Sequence, residues 1–415
     1  MSKRTLGYAL LAASILLLMF ILYYNSTLRH TPMIFSEQQM LSALWNDYKR
    51  RYLEPITYRT IDRQRGNVTT SEGQSYTMLR AAWLGDKDVF DGAWLWTQEH
   101  LGRPTDALFA WLFGQRADGS WGILHEENGS VSASDANVDI ALALIFAYAR
   151  WQEDAYLDSA RAILADIWEY EVVTIGGVPY LAANNVEKRL DKREVVVNPS
   201  YLAPYAYRIF AEVDPDRPWM RLVDGSYALI ERSMQEPLGG VEPAGLPPDW
   251  IEIDRVTGAL RVPRSQELTT NYGFDAIRTP WRLALDWQWF GEERARDTLG
   301  KMSMLEDAWK RDGRILSVYA RDGSPLEAYE TPAAYGTAIG YFLVREPRLA
   351  EEIYRAKLLP LYNPDVNAWR TPLSYYDDNW AWFGIALYTN QLPNLAAGAT
   401  FPSARGAPRT LLSGI

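Results

Sequence analysis

ASDANVDIALALIFAYARW, residues 133–151, decides how the chain is read. Ser134-Asp135 has the form of a helix N-cap. Behind it, apolar residues stand on every side rather than along one stripe. A helix that is apolar all round has protein on all its faces. Asp139 falls one turn inside it, four residues after Asp135, so the two carboxylates are neighbours on one face. The residues alone fit two readings: a capped core helix, or a helix that delivers a carboxylate to the mouth of a cavity.

Amphipathic helical patterns recur on either side, about a dozen in all. SEQQMLSALWNDYKRRYL (36–53) opens on Ser36, an N-cap residue. DAYLDSARAILADIWEYE (154–171), PWMRLVDGSYALIERSM (218–234), FDAIRTPWRLALDWQWFG (274–291) and DDNWAWFGIALYTN (377–390) continue the series. Turns such as RADGSWG and LPPDW separate them. VPYLAANN, DWIEID and GALRVP read as short ribbons. No strict repeat is visible. A dozen helices without repeat identity fit a closed ring of helix pairs better than a solenoid, because a ring needs no capping units. The tail from Leu392, rich in Pro, Gly and Ala, is expected to be loosely ordered.

Residues 7–24, GYALLAASILLLMFILYY, carry no charge and follow Lys3 and Arg4. At about 1.5 Å per residue such a helix nearly spans a bilayer core. The run ends in Tyr23-Tyr24-Asn25, a poor cleavage site. The expectation is an uncleaved anchor within residues 1–30, a cytoplasmic N-terminus, and a domain of residues 31–391 outside the membrane. A cleaved signal that leaves a secreted or periplasmic protein is the alternative.

The 415 residues carry a formal net charge of −10, which speaks against nucleic acid as a partner. There is no cysteine, so disulfides, thiol catalysis and thiolate metal sites are excluded. The three histidines, His30, His100 and His125, have no metal-like spacing, which leaves little for a Ser-His-Asp or His-zinc enzyme. Carboxylates remain as the acid–base groups, and no metal or cofactor is expected. The 17 Trp and 25 Tyr fill a core first, but their flat faces and polar edges also suit sugar rings.

Two further acidic motifs join the first. In TSEGQSY (70–76), Thr70 or Ser71 caps a helix and Glu72 sits in its first turn, where the macrodipole favours it. In NYGFDAIRTPWRLALDW (271–287), Asp275 and Arg278 are three apart among Tyr272, Phe274 and Trp281. Glycoside hydrolysis needs two carboxyl groups, one a protonated acid and the other a base or nucleophile. The acid must have its pKa raised by burial or by a neighbouring carboxylate.

Taken in order, these segments resemble family 8 of the glycoside hydrolases, which includes endoglucanases tied to bacterial cellulose and other exopolysaccharide synthesis. The carriers are TSEGQSY, AWLFG (110–114), DGSWG (118–122), the 133–151 stretch, NPSYLAP (198–204), LPPDW (246–250) and FDAIRTPWR (274–282). Past 290 the match is weaker, with YYDDNWAW (375–382) as a late aromatic motif. The resemblance implies an all-α (α/α)6 barrel with an open cleft and inverting hydrolysis of β-1,4 linkages in a long glucan. It makes Glu72 the general acid and Asp275 the general base. It gives Asp135 the hold on the sugar at the cleavage point and places Tyr201 near the attacking water. Trp111, Arg278 and Tyr376 become subsite residues. A β-1,4-linked polysaccharide is then the partner, with an exopolysaccharide synthase as a possible second.

Chitosan-, lichenan- and xylan-acting enzymes share the family and form the enzymatic alternative. A non-catalytic glycan-binding component is the alternative of a different kind, and the intact Glu72, Asp135 and Asp275 argue against it. An (α/α)6 lyase or epimerase would more often use His, and no His stands in a motif. Two departures bear on the substrate. Asn137 replaces the usual second acidic residue, which is expected to alter a subsite or a neighbour's pKa. Phe274 replaces a Tyr before the base and removes a hydroxyl there. One tension remains: the dipole at a helix start lowers a carboxyl's pKa, so burial under sugar and Asp135 must raise that of Glu72.

Overall fold

The computed structural model describes residues 36–402 apart from Leu190. The apolar run at 7–24 and its expected anchor lie outside the described residues, as do residues 403–415. Among the described residues no helix is long and apolar enough to cross a membrane. The chain divides into a unit ending at Met40 and one starting at Leu41. Of the first, only the opening of a helix is described. There Gln39 N donates to Ser36 Oγ and Ser36 N to Gln39 Oε1, both at 3.2 Å, the reciprocal bonds of a capping box.

Among the described residues, thirteen α-helices follow one another: α1 (Glu37–Tyr52), α2 (Ser71–Leu84), α3 (Lys87–Leu101), α4 (Ser134–Trp151), α5 (Asp154–Tyr170), α6 (Pro204–Val213), α7 (Trp219–Gln235), α8 (Arg278–Phe290), α9 (Glu293–Gly300), α10 (Met304–Asp312), α11 (Pro332–Arg345), α12 (Pro347–Ile353) and α13 (Tyr375–Tyr388). Within the second unit, α2, α4, α6, α8, α11 and α13 pack each on the next. The ring closes where Tyr76 of α2 meets Trp380 and Phe383 of α13, at ring distances of 5.5 and 5.4 Å. Buried Arg80 and Asp378 pair across the same seam at 3.1 Å. Outside the ring, α3 covers α2, α5 covers α4, α7 covers α6, α9 covers α8 and α12 covers α11. The sixth outer position belongs to the part of α1 from residue 41 on, where the Leu41 carbonyl accepts from Trp382 Nε1 at 3.0 Å. Six inner helices alternate with outer partners, which is an (α/α)6 ring.

The 133–151 stretch shows why. Fifteen of the 18 residues of α4 are buried, from Ser134 through Tyr148. Only a place between inner neighbours and an outer partner accommodates that, and each fully buried Ile, Leu or Phe adds roughly 1.5–3 kcal/mol. Close approach does the same for α11 and α13. A Cβ on Gly336 would stand 2.0 Å from the Trp380 carbonyl, and one on Gly384 would stand 2.2 Å from the Gly336 carbonyl. Only glycine lets these two backbones touch.

The ribbons fall where expected: Val178–Leu181, Ile251–Asp254 and Leu260–Arg261 are strands. Two expectations are corrected. Ser134 does not cap α4: Ala133 is the N-cap, without a side-chain bond. The chain at 182–183 crosses the helix start instead, so Ser134 Oγ donates to the Ala182 carbonyl at 2.6 Å and Ser134 N to that of Ala183 at 3.1 Å. The tail is not loose as far as residue 402. Trp289 and Trp83 donate their indole N–H groups to the carbonyls of Leu392 (2.7 Å) and Pro393 (3.1 Å). Leu392 and Ala396 are buried. An outer return stands between each inner helix and the next, and the N-termini of α2, α4 and α8 meet at one end through Arg278.

Candidate active site

That end collects the acidic motifs. Glu72 lies in the first turn of α2, whose N-cap Thr70 accepts from Gly73 N at 3.0 Å. Asp135 lies in the first turn of α4. Asp275 sits in the turn before α8, and Arg278 is the first residue of that helix. Arg278 Nη1 donates to Glu72 Oε2 at 2.7 Å and to Asp135 Oδ2 at 3.0 Å, while Nη2 donates to Asp275 Oδ1 at 2.6 Å. One guanidinium therefore gathers three carboxylates that stand 143 and 206 residues away and three residues away.

Exposure separates the four groups. The side chains of Arg278 and Asp135 are 1% and 3% exposed, whereas Glu72 and Asp275 are 25% and 32% exposed. The first two are buried beneath, and the last two are partly open to solvent. Tyr201 lies with its ring 5.1 Å from the guanidinium and meets Trp250 edge-on at 5.6 Å. Trp250 Nε1 donates to Asp275 Oδ2 at 3.0 Å. The Tyr375 hydroxyl faces Glu72 Oε1 at 3.4 Å. One turn deeper the pattern repeats: buried Arg282 grips Asp139 with two bonds (3.0 and 2.8 Å) and donates to the Tyr205 hydroxyl at 2.7 Å. That pair is a packed foundation, not a cleft carboxylate.

Three carboxylates around one cation leave negative charge in excess, so a proton is retained there. Glu72 and Asp135 both respond to it, and the pKa of Glu72 is raised from 4.5 to about 7. Burial is the largest cause. Arg278 opposes it, and the charges of Asp135 and Asp275 add to it. The expected pull of the helix dipole is thus overcome by desolvation and by both other carboxylates. A sugar lying over the exposed quarter of Glu72 would push the same way. Asp135 is also raised, first by burial, against Arg278 and Arg282.

Glu72, Asp135, Asp275, Arg278 and Tyr201 come together as one cluster. Trp111 is at its edge: its carbonyl accepts from Ser71 N at 3.0 Å, while its ring N–H donates to the Asn128 carbonyl at 3.1 Å. Tyr376 stands within reach of the charges of Arg278 and Glu72. Its hydroxyl donates to the Phe274 carbonyl, and the two rings meet edge-on at 6.1 Å. Phe274 is exposed on its other side. Of the two effects expected of Asn137, the contacts fit the one on a neighbour's pKa. Asn137 is fully buried, accepts from Phe109 N at 3.2 Å and donates to Glu171 at 2.8 Å. Its effect falls on Glu171, which burial pushes up to about 8 and which the Asn137 amide partly restrains. Sequence reasoning missed Tyr375, Trp250 and Asp249. LPPDW had marked the last two as a motif without giving either a role.

Residues 21–361 match the family described as Glycosyl hydrolases family 8. An endoglucanase of Cellulomonas uda is 32% identical over 321 residues, covering 76% of this chain and 79% of that one. Endoglucanase A of Acetivibrio thermocellus is 28% identical over 354 residues, covering 80% and 68%. The solved structure of an endo-1,4-D-glucanase from Vibrio fischeri ES114 superposes with a TM-score of 0.69 at 25% identity, covering 83% and 94%. A family match over most of the chain, the same helical ring and a carboxylate cluster at its open end agree. The chain is a glycoside hydrolase and belongs to glycosyl hydrolases family 8.

Proposed function

We propose that the chain is an inverting endo-β-1,4-glucanase in which Glu72 is the general acid and Asp275 the general base. The observation that carries this reading is the placement of Glu72 and Asp275, the two partly exposed carboxylates, on different nitrogens of Arg278, with Glu72 raised to about 7. An inverting pair needs about 6.5–9.5 Å, enough to admit a water.

A glucan lying in the cleft presents its glycosidic oxygen to Glu72, which gives up its proton as the bond to the anomeric carbon breaks. Asp275, held by Arg278 and Trp250, takes a proton from the water that attacks the opposite face of the ring. The product leaves with inverted configuration, and a proton passes from Asp275 to Glu72 through solvent. Buried Asp135 holds the sugar at the cleavage point, and Tyr201 stands beside the water. Acid and base each contribute about 10²–10⁴-fold.

The relatives' names favour glucan, and the exposed apolar ring of Phe274 suits a flat sugar face. A product profile over carboxymethylcellulose, mixed-linkage β-glucan, xylan and chitosan tests this. Internal cleavage of the first two is expected to exceed that of the others by at least about tenfold, the selectivity a few pocket contacts supply. Faster turnover of xylan or chitosan contradicts the glucan assignment, and binding without turnover of any polymer favours a non-catalytic role.

A further inference from the structure

The mechanism above leaves Asp249 without work, yet it is the most heavily bonded carboxylate at the open end. It is buried, and it sits in the segment before the strand Ile251–Asp254. A single oxygen, Oδ1, accepts three backbone N–H groups: Gly273 at 3.1 Å, Asp275 at 3.1 Å and Ala276 at 2.7 Å. The turn bearing Asp275 is thus wrapped around this one atom. The backbone of Asp249 is fixed in turn, since its N–H donates to the Asn271 carbonyl at 2.7 Å and that of Trp250 to Thr269 at 3.0 Å.

Trp250 completes the arrangement from the other side, its indole N–H on Asp275 Oδ2 at 3.0 Å. Two consecutive residues therefore hold Asp275 twice, Asp249 by the backbone and Trp250 by the side chain. Gly273 records how tight the fit is: a Cβ there would stand 2.6 Å from Asp249 Oδ2.

We propose that Asp249 is a positioning residue for the water-activating carboxylate: it fixes the 273–276 turn so that Asp275 meets Arg278, Trp250 and the attacking water in one geometry. This rests on Asp275 being the base. Three N–H groups, two of them buried, lose their acceptor and carry a desolvation penalty without Asp249, so the turn must shift to find partners. Displacing a reacting group by about 1 Å costs about 10²-fold in rate. The acceptor matters more than its charge. Burial and Asp275 raise Asp249 to about 7, so the neutral form is well populated near neutrality, and Asn is its neutral isostere with the same acceptor oxygen.

The test compares Asp249→Ala, Asp249→Asn, Gly273→Ala, the double variant Asp249→Ala with Gly273→Ala, and Asp275→Asn on a soluble cello-oligosaccharide. Each variant is checked by circular dichroism and thermal melting. Asp249→Ala is expected to lose about 100-fold in kcat with KM within about threefold, and Asp249→Asn to recover to within about tenfold of the parent. Gly273→Ala is expected to lose about tenfold alone and less than about twofold on top of Asp249→Ala, because the atom it strikes is then gone. If Asp249→Ala does not fold, the Asp249→Asn and Gly273→Ala values decide.

Turnover in Asp249→Ala within a few-fold of the parent, or Asp249→Asn as slow as Asp249→Ala, overturns the proposal. Asp275→Asn separates the two claims. Wild-type-like turnover there removes the base assignment, and this proposal with it. An inactive Asp275→Asn beside an active Asp249→Ala removes only the positioning role.

Discussion

Glu72→Gln lowers kcat by about 10³–10⁴-fold, the upper range for losing a general acid. Its fold and its hold on glucan should stay near those of the parent. Glutamine has the same shape, and its Oε can still accept from Arg278 Nη1, so that contact is kept. What disappears is the proton. The sign of the pH effect follows from the same group. Its pKa is raised from 4.5 to about 7, so the competent protonated form dominates below about pH 7 and is lost above it. In the parent, kcat/KM should therefore fall on the alkaline side of about pH 7, approaching tenfold per unit. The residual activity of Glu72→Gln should show no such limb. Reducing-sugar release across pH, with calorimetric binding of a cello-oligosaccharide, measures both. Turnover within tenfold of the parent, or an alkaline limb that survives the substitution, rules Glu72 out as the acid.

Arg278→Lys should cost about 10²–10³-fold in kcat although the charge is kept. The guanidinium reaches Glu72 and Asp135 from one nitrogen and Asp275 from the other. An ammonium is a point charge on a flexible stem and cannot span that fork. The carboxylates would then settle separately, and a shift of about 1 Å in either reacting group costs about 10²-fold. The loss should be in kcat rather than KM. Steady-state kinetics together with the melting temperature check it. A variant with parental kcat would mean that Arg278 only neutralises charge.

The ring was legible because its signal is local and redundant. The run at 133–151, apolar all round, marks a helix with protein on every face, and about a dozen helical patterns without repeat identity fit a closed ring. Glu72, Asp135 and Asp275 were legible as acidic helix starts with a family order. What binds them was not. A sequence gives no distance between residues 143 or 206 positions apart, so Arg278 as their common partner had to come from the folded chain.

The same limit hid Asp249, whose role depends on three N–H groups more than 20 residues away. Tyr375 shows a finer limit. Adjacent helical residues point about 100° apart, so the motif marks the turn but not which hydroxyl faces Glu72. Ser134 and the tail were misjudged for one reason: composition and propensity describe a segment alone. The crossing chain at Ala182 and the indoles of Trp83 and Trp289 are tertiary partners that override it.

The central claim, an acid and a base on opposite sides of a water-wide gap, is tested most directly by the configuration of the first product. Proton NMR of a cello-oligosaccharide digest, recorded before mutarotation, should show the α-anomer of the new reducing end first, with β growing in later. An initial β-anomer would mean retention through a covalent intermediate, and the assignment of Glu72 and Asp275 as an inverting pair would be contradicted.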